Sequence, residues 1–354
     1  MKKFFLMILI IIIVIIMGGL IYYKNSIGPV SNSNKDVEFI ISENDTYYSI
    51  SKKLKDSNLI KNEQMYKVYI KLNKPSNNLK AGKYILRENM GISKIISTLS
   101  KNSINTDIVI TFKEGKNMRS IAKTIEDNTN NTVNDVYSLL KDQNYLNELI
   151  SNYWFIDKSI LNTNIYYPLE GYLFPNTYNF KNKDVTVKEI FKSMLDETNK
   201  QLEPFKNDII NSKYTMHQIL TMASIVELEA LNKNDRASVA SVFYNRLNIN
   251  MPLGSDVTTY YASGVDMSER DLTVNELNAV NSYNTRSTTM AGKLPVGPIC
   301  NPSISSIEAA LHPAATDYYF FVADKNGNVY YTKTNREHEQ KILELKNKGL
   351  WFNY

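Results

Sequence analysis

Two glutamates, Glu227 and Glu229, interrupt an otherwise apolar stretch, Thr-Met-Ala-Ser-Ile-Val-Glu-Leu-Glu-Ala over residues 221–230. A carboxyl group serves as a general acid or base when its pKa lies near the working pH, and burial among apolar groups raises it. Ile219, Leu220, Met222, Ala223, Ile225, Val226 and Leu228 supply apolar positions nearly all round a helix, with His217, Thr221 and Ser224 as the polar sector. At 3.6 residues per turn, Glu227 falls between Leu220 and Ala223, and Glu229 between Met222 and Ile225 on nearly the opposite side. A helix apolar on most faces is a buried one. A carboxylate in it is costly unless paired or protonated. A protonated glutamate in such a place can donate at neutral pH; a salt-bridged structural glutamate is the other reading.

Other chemistries find little support. Three scattered histidines (His217, His312, His338) and the single Cys300 give no metal-ligand spacing, so no metal and no cofactor is expected. A lone cysteine also forms no intramolecular disulfide. The net charge of +5 is spread out, without a basic tract interleaved with aromatics, so nucleic acid is not an expected partner.

The elements that must position the two acids begin with an apolar run. Residues 4–23 carry no charge and are rich in Ile, Leu, Val and Met, after Lys2 and Lys3 and before Lys24. That length suits a single transmembrane helix, and Gly18-Gly19 makes no convincing cleavage site. The lysines favour a cytoplasmic N-terminus and an extracytoplasmic remainder.

After a Ser/Asn/Gly/Pro-rich linker, Val37, Phe39 and Ile41 alternate as a strand, followed by a turn and a helix at residues 48–54. The same order returns with Ile108 and Ile110, the turn at residues 113–116 and a helix at 119–125. Between them lie a strand near residues 82–86 and a short helix at 92–99; residues 133–150 and 185–205 have helical spacing. Residues 166–180 hold two prolines, one glycine and six aromatics, a pattern suited to a sugar-stacking surface or to an aromatic plug. A second helix is expected over residues 235–247, then loop-rich chain over 251–274 and irregular Pro/Gly-dense chain over 281–302. A helix at 304–311, a hairpin around Asn326-Gly327 and a last helix at 336–346 complete an α+β chain.

Five motifs in linked order resemble the YceG-like endolytic murein transglycosylases: Ala-Ser-Ile-Val-Glu-Leu-Glu at 223–229, Val-Phe-Tyr-Asn-Arg-Leu at 242–247, Tyr-Asn-Thr at 283–285, Leu-Pro-Val-Gly-Pro-Ile-Cys-Asn-Pro at 294–302, and Leu-Glu-Gly-Tyr-Leu-Phe-Pro-Asn-Thr-Tyr at 169–178. The resemblance implies a membrane-anchored enzyme that cuts nascent peptidoglycan strands internally, in association with penicillin-binding proteins. It implies the divisions 1–24 (cytoplasmic tip and anchor), 25–36 (linker), 37–105 (LysM-like region), 106–205 (second strand-turn-helix repeat and helical/aromatic connector) and 206–354 (mixed α+β catalytic domain). It places the catalytic acid/base on Glu227 and makes Glu229 a structural or substrate-orienting partner. Asn245, Arg246, Asp256, Tyr283, Asn284 and Glu170 follow as substrate-binding candidates, with capping and ion pairing as the alternative role for Asn245, Arg246 and Asp256. Two departures stand out: Gly254-Ser255-Asp256-Val257 where the family commonly has Gln-Thr-Asp-Pro, and Arg286 where it has tyrosine.

Such a reaction needs one carboxyl group used twice, first as acid toward the glycosidic oxygen and then as base toward the MurNAc C6 hydroxyl. Two other classes compete. A wall-binding scaffold would rest on the LysM-like repeat alone, and a hydrolytic muramidase would need a second acid, Glu170 or Asp256.

Overall fold

The computed structural model describes residues 2–75, 79–101, 107–230 and 232–351. It divides into two compact units, 1–106 and 107–354. The expected boundary at residue 105 lies outside the described residues.

The first unit opens with helix α1 (Lys2–Ser26). Its 4–26 portion is long and apolar enough to cross a membrane, and its most apolar 18-residue stretch has no buried residue. Strand β1 (Asp36–Ile41) pairs antiparallel with β2 (Gly82–Arg87), in register from Asp36 opposite Arg87 to Ile41 opposite Gly82. Between the strands run α2 (Ser51–Asp56) and α3 (Glu63–Asn73), and α4 (Ile92–Leu99) follows. The alternation read in β1 puts Phe39 and Ile41 inward, against Ile50, Leu54, Tyr66, Ile70, Tyr84 and Ile95. Helix α3 was not anticipated. Asn62 caps it by accepting from the Met65 N–H at 3.0 Å, and Tyr66 and Ile70, one turn apart, are its buried face.

The second unit begins with β3 (Ile108–Thr111), α5 (Met118–Asn128), α6 (Val133–Lys141) and α7 (Gln143–Asn152). The helical spacing over 133–150 is thus two helices, broken because Asp142 is extended and caps α7. Strand β4 (Thr177–Phe180) returns to pair antiparallel with β3. Helices α8 (Val187–Leu202), α9 (Lys206–Asn211), α10 (Met216–Glu229), α11 (Arg236–Asn248), α12 (Asp256–Ser263), α13 (Val274–Leu277) and α14 (Ile304–Leu311) follow. The β5 (Phe320–Ala323)/β6 (Val329–Thr332) hairpin and α15 (Asn335–Asn347) finish the chain. Within the loop-rich stretch expected over 251–274, Asp256–Ser263 forms α12, which was not expected.

One hydrophobic core runs through this unit, joining Ile110, Ile121 and Phe191 to Ile219, Val226, Phe243 and Ile307. The separation of 106–205 from 206–354 expected from sequence is therefore not a separation of cores. Helix α10 lies at its centre, with every residue from Met216 to Val226 except the exposed Gln218 buried. A Thr215/Gln218 capping box fixes its start. The aromatic segment before β4 joins the same core through Leu169, Tyr172 and Leu173, so most of it is the plug rather than a stacking surface. Gly171 shows how closely it packs: at φ +85° a Cβ there would lie 2.4 Å from Pro298, so only glycine fits.

Candidate active site

The two acids lie in the last turn of α10, where the helix leaves the core. Carboxylates at a helix C-terminus face the negative end of the macrodipole, so each needs compensation from elsewhere. Residues two apart point about 200° from one another, and the compensation differs accordingly.

Glu227 meets donors only. Arg236 Nη2 lies 3.0 Å from Oε1, and both side chains are 6% exposed. The Ser303 N–H and hydroxyl donate to Oε2 at 2.9 and 2.6 Å. Arg236 also donates to the hydroxyls of Ser303 and Ser305. The apolar surroundings expected for Glu227 are thus replaced by a cation and two neutral donors.

Glu229 is placed differently. One donor reaches it, the Ser255 hydroxyl at 2.6 Å from Oε1. Burial pushes its carboxyl above the usual range; the Ser255 hydrogen bond opposes this, the nearby Asp256 charge adds to it, and Arg246 partly offsets it. It nevertheless keeps some solvent exposure, as does Glu227. Burial and the nearby Asp256 charge thus favour the protonated form of Glu229.

Ser255 is held firmly. Its N–H donates to Thr285 Oγ1 at 3.0 Å, and its carbonyl accepts from Thr258 Oγ1 at 2.7 Å. The Thr258 and Thr285 hydroxyls are 2.9 Å apart, and all three side chains are buried. The 254–257 and 283–286 segments, where the sequence departs from the family pattern, therefore meet beside Glu229. Their departures also meet: Arg286 Nη1 pairs with Asp256 Oδ1 at 2.6 Å on the surface.

The other candidates from sequence divide into near and remote. Arg246 donates to the carbonyls of Leu253 and Tyr319 and lies over the Phe320 ring, so it braces the loop that carries Ser255. Asn245 donates to the Thr316 and Tyr318 carbonyls. Asn284 is buried, holding Leu277 and Ala279 carbonyls and accepting from Thr259. Tyr283 is also buried, packed against Tyr166 and Tyr261 at ring distances of 4.8 and 5.0 Å. Glu170 accepts from the Met118 N–H and Tyr261 hydroxyl at 3.0 Å each, and from Asn301 at 3.3 Å. Burial pushes its carboxyl up to about 8. These contacts are those of positioning groups. Arg236 and Ser303 were not foreseen; the signal available was the pair of uncompensated acids at a helix C-terminus.

Gly115, in the turn before α5, comes against this site. A Cβ there would stand 3.3 Å from Leu228 Cδ2 and 3.7 Å from Glu227 Cγ, at φ +72°. Among the described residues no cluster of three or more His, Cys, Asp or Glu side chains could hold a metal ion.

Comparison with known proteins gives consistent matches. The YceG-like family profile matches residues 39–344. The chain is 37% identical over 332 residues to an endolytic murein transglycosylase of Bacillus subtilis (strain 168), covering 92% of this chain and 91% of that protein. It is 30% identical over 348 residues to an endolytic murein transglycosylase of Streptococcus pneumoniae serotype 2 (strain D39 / NCTC 7466), covering 93% of this chain and 62% of that longer protein. The crystal structure of a yceG-like protein from Listeria monocytogenes superposes with TM-score 0.62 at 34% identity, covering 87% of this chain and all of that one.

Proposed function

The chain belongs to the YceG-like family, and from that premise we propose that it is an endolytic murein transglycosylase that cleaves the MurNAc–GlcNAc bond of peptidoglycan. The observation that carries the mechanism is the partly accessible Glu229, its acid raised by burial and one serine hydroxyl beside it. Protonated Glu229 donates to the glycosidic oxygen as the C1–O bond breaks, and GlcNAc departs with a free hydroxyl. The resulting carboxylate takes the proton of the MurNAc C6 hydroxyl, whose oxygen bonds to C1 and closes a 1,6-anhydro ring. The proton returns to Glu229, and no water is consumed.

Glu227 holds Arg236 and the start of α14 in this reading. The other assignment keeps Glu227 as the acid/base, as the position in the family motif implies. It requires the Arg236 pair to open before a proton can be carried. Arg246 and Thr285 serve by fixing the Ser255 loop, and Asn284 by tying α12 to the 277–279 carbonyls; Asp256, with its side chain 55% exposed, is the candidate that reaches substrate directly, and Tyr283 and Glu170 shape the wall behind it.

Helix α1 supports a single-pass anchor with a cytoplasmic N-terminus and the second unit outside. The strand–helix–helix–strand order of the first unit supports the LysM-like reading, with glycan strands as its ligand and penicillin-binding proteins as partners in synthesis.

Mass spectrometry of peptidoglycan digested by the full-length protein tests the reaction. Anhydro ends are expected. Reducing ends would instead indicate a muramidase using Asp256 as second acid, and intact glycan would indicate a scaffold.

A further inference from the structure

Beside α10 lies a groove that the proton transfers do not use. Its outer part, about 580 Å³, is lined by Lys113, Lys116, Arg119 and Lys123, with Asp266 and Glu269 opposite. Its inner part, about 140 Å³, shares Lys116, Arg119 and Asp266 and runs inward to Tyr260, Tyr261 and Leu228. Leu228 is the residue between the two acids, so the groove ends at the reacting turn.

The cations are not equivalent. Lys123 is engaged by Glu126 and Asp127 at 2.9 and 2.8 Å. Lys113, Lys116 and Arg119 form no ion pair among the described residues, and Arg119 is steadied over the Tyr261 ring at 5.4 Å. Asp266 accepts from the Ser268 N–H and hydroxyl at 2.9 and 2.6 Å, and the charges of Lys116 and Arg119 act on it across the groove without a direct ion pair. The turn that carries the lysines is fixed: Gly115 N–H donates to the Asn301 carbonyl at 2.9 Å, and Asn301 N–H to the Lys116 carbonyl at 3.0 Å. A rigid wall thus presents three cations with unfilled hydrogen-bonding capacity to whatever lies alongside the cleaved bond.

Resting on the reading of the substrate above, we propose that this groove is a subsite for the carboxylates of the peptide stem, with Lys113, Lys116 and Arg119 as its ligands. The stem hangs from the MurNAc whose C1 is attacked, so it is the anionic part of the substrate tethered next to Leu228. Phosphates of other wall polymers share the charge but have no such tether.

The test uses full-length protein in detergent and two preparations of the same glycan strands, one with free stem carboxylates and one with them converted to amides. Binding is followed by fluorescence anisotropy and cleavage by product analysis. For the wild type, amidation is expected to raise Kd and KM about tenfold with kcat little changed. The double variant K113A/K116A is expected to lose that preference, binding free-acid strands as weakly as amidated ones and treating amidated strands as the wild type does. Added salt should erase the preference in the same way. Equal handling of the two strands by the wild type, or equal impairment of both by the variant, overturns the subsite; so does a polyglycerol phosphate competing better than free-acid stems. Stem-dependent binding without any cleavage would leave the subsite standing and sink the reaction instead.

Discussion

The two acids of the last turn of α10 are two residues apart in sequence and differ in their electrostatic surroundings. On one side Glu227 has a buried guanidinium and two neutral donors; on the other Glu229 has a single serine hydroxyl and the negative Asp256 nearby. Glu170 makes the comparison three-way, since it too has three donors, all neutral, yet burial holds its acid near 8. Counting hydrogen bonds does not sort these acids. What sets Glu227 apart is a cation in direct contact, Arg236 at 3.0 Å.

The strongest way to break this comparison is to remove the carboxyls one at a time. Glu229→Gln should lower the rate of anhydro-product formation by about 10²–10⁴-fold while leaving the thermal transition in place. If Glu229→Gln stays active and a folded Glu227→Gln does not, the assignment of the acid is reversed. Glu227→Gln should act mainly on stability, by about 3–5 kcal/mol, because it leaves the buried Arg236 uncompensated; denaturant titration measures it, with activity normalised to the folded fraction.

Glu170 sharpens the comparison through pH. Its acid is raised from 4.5 to about 8 on folding, so the folded state holds the proton more tightly. The stability this gives is fully present below about 4.5 and is lost as pH rises through about 8. Melting curves should therefore fall across that window, and Glu170→Gln should flatten the fall. A slope unchanged in the variant would remove Glu170 from the account.

The smallest effect is expected at Ser255. Its hydroxyl stabilises the charged form of Glu229, so Ser255→Ala should raise the Glu229 acid further. The high-pH limb of kcat/KM, where the general acid loses its proton, should move to higher pH with little change in the plateau. Movement toward lower pH would show that Ser255 is not the group acting on the acid.

Much of the frame was legible because it is local. Alternation in residues 37–41 gave β1, and Asn326-Gly327 gave the hairpin, with Gly327 at φ +82°. Helix α12 was not legible: Asp-Val-Thr-Thr-Tyr-Tyr-Ala-Ser is poor helix sequence, and burial of Val257, Thr258 and Tyr261 overrides its propensity. The helical wheel separated Glu227 from Glu229 correctly but could not say what each one faces. Ser255 is 26 residues from Glu229, and Ser303 is 76 from Glu227. Partners at those distances leave no periodic trace in the chain.

The stitching of Asn301 to Lys116 spans 185 residues. During synthesis the turn that carries Gly115 leaves the ribosome long before its tie, and Ser303 emerges later than either acid. The second unit can close its core only after nearly all of its chain is out, since long-range contacts form only once their loops are available to close. A nascent chain that already has Glu227 and Glu229 has no Ser303 for Glu227 and an untied wall beside Leu228. The wall-cutting centre is thus among the last parts of the molecule to come into being, and a truncated product is born without it.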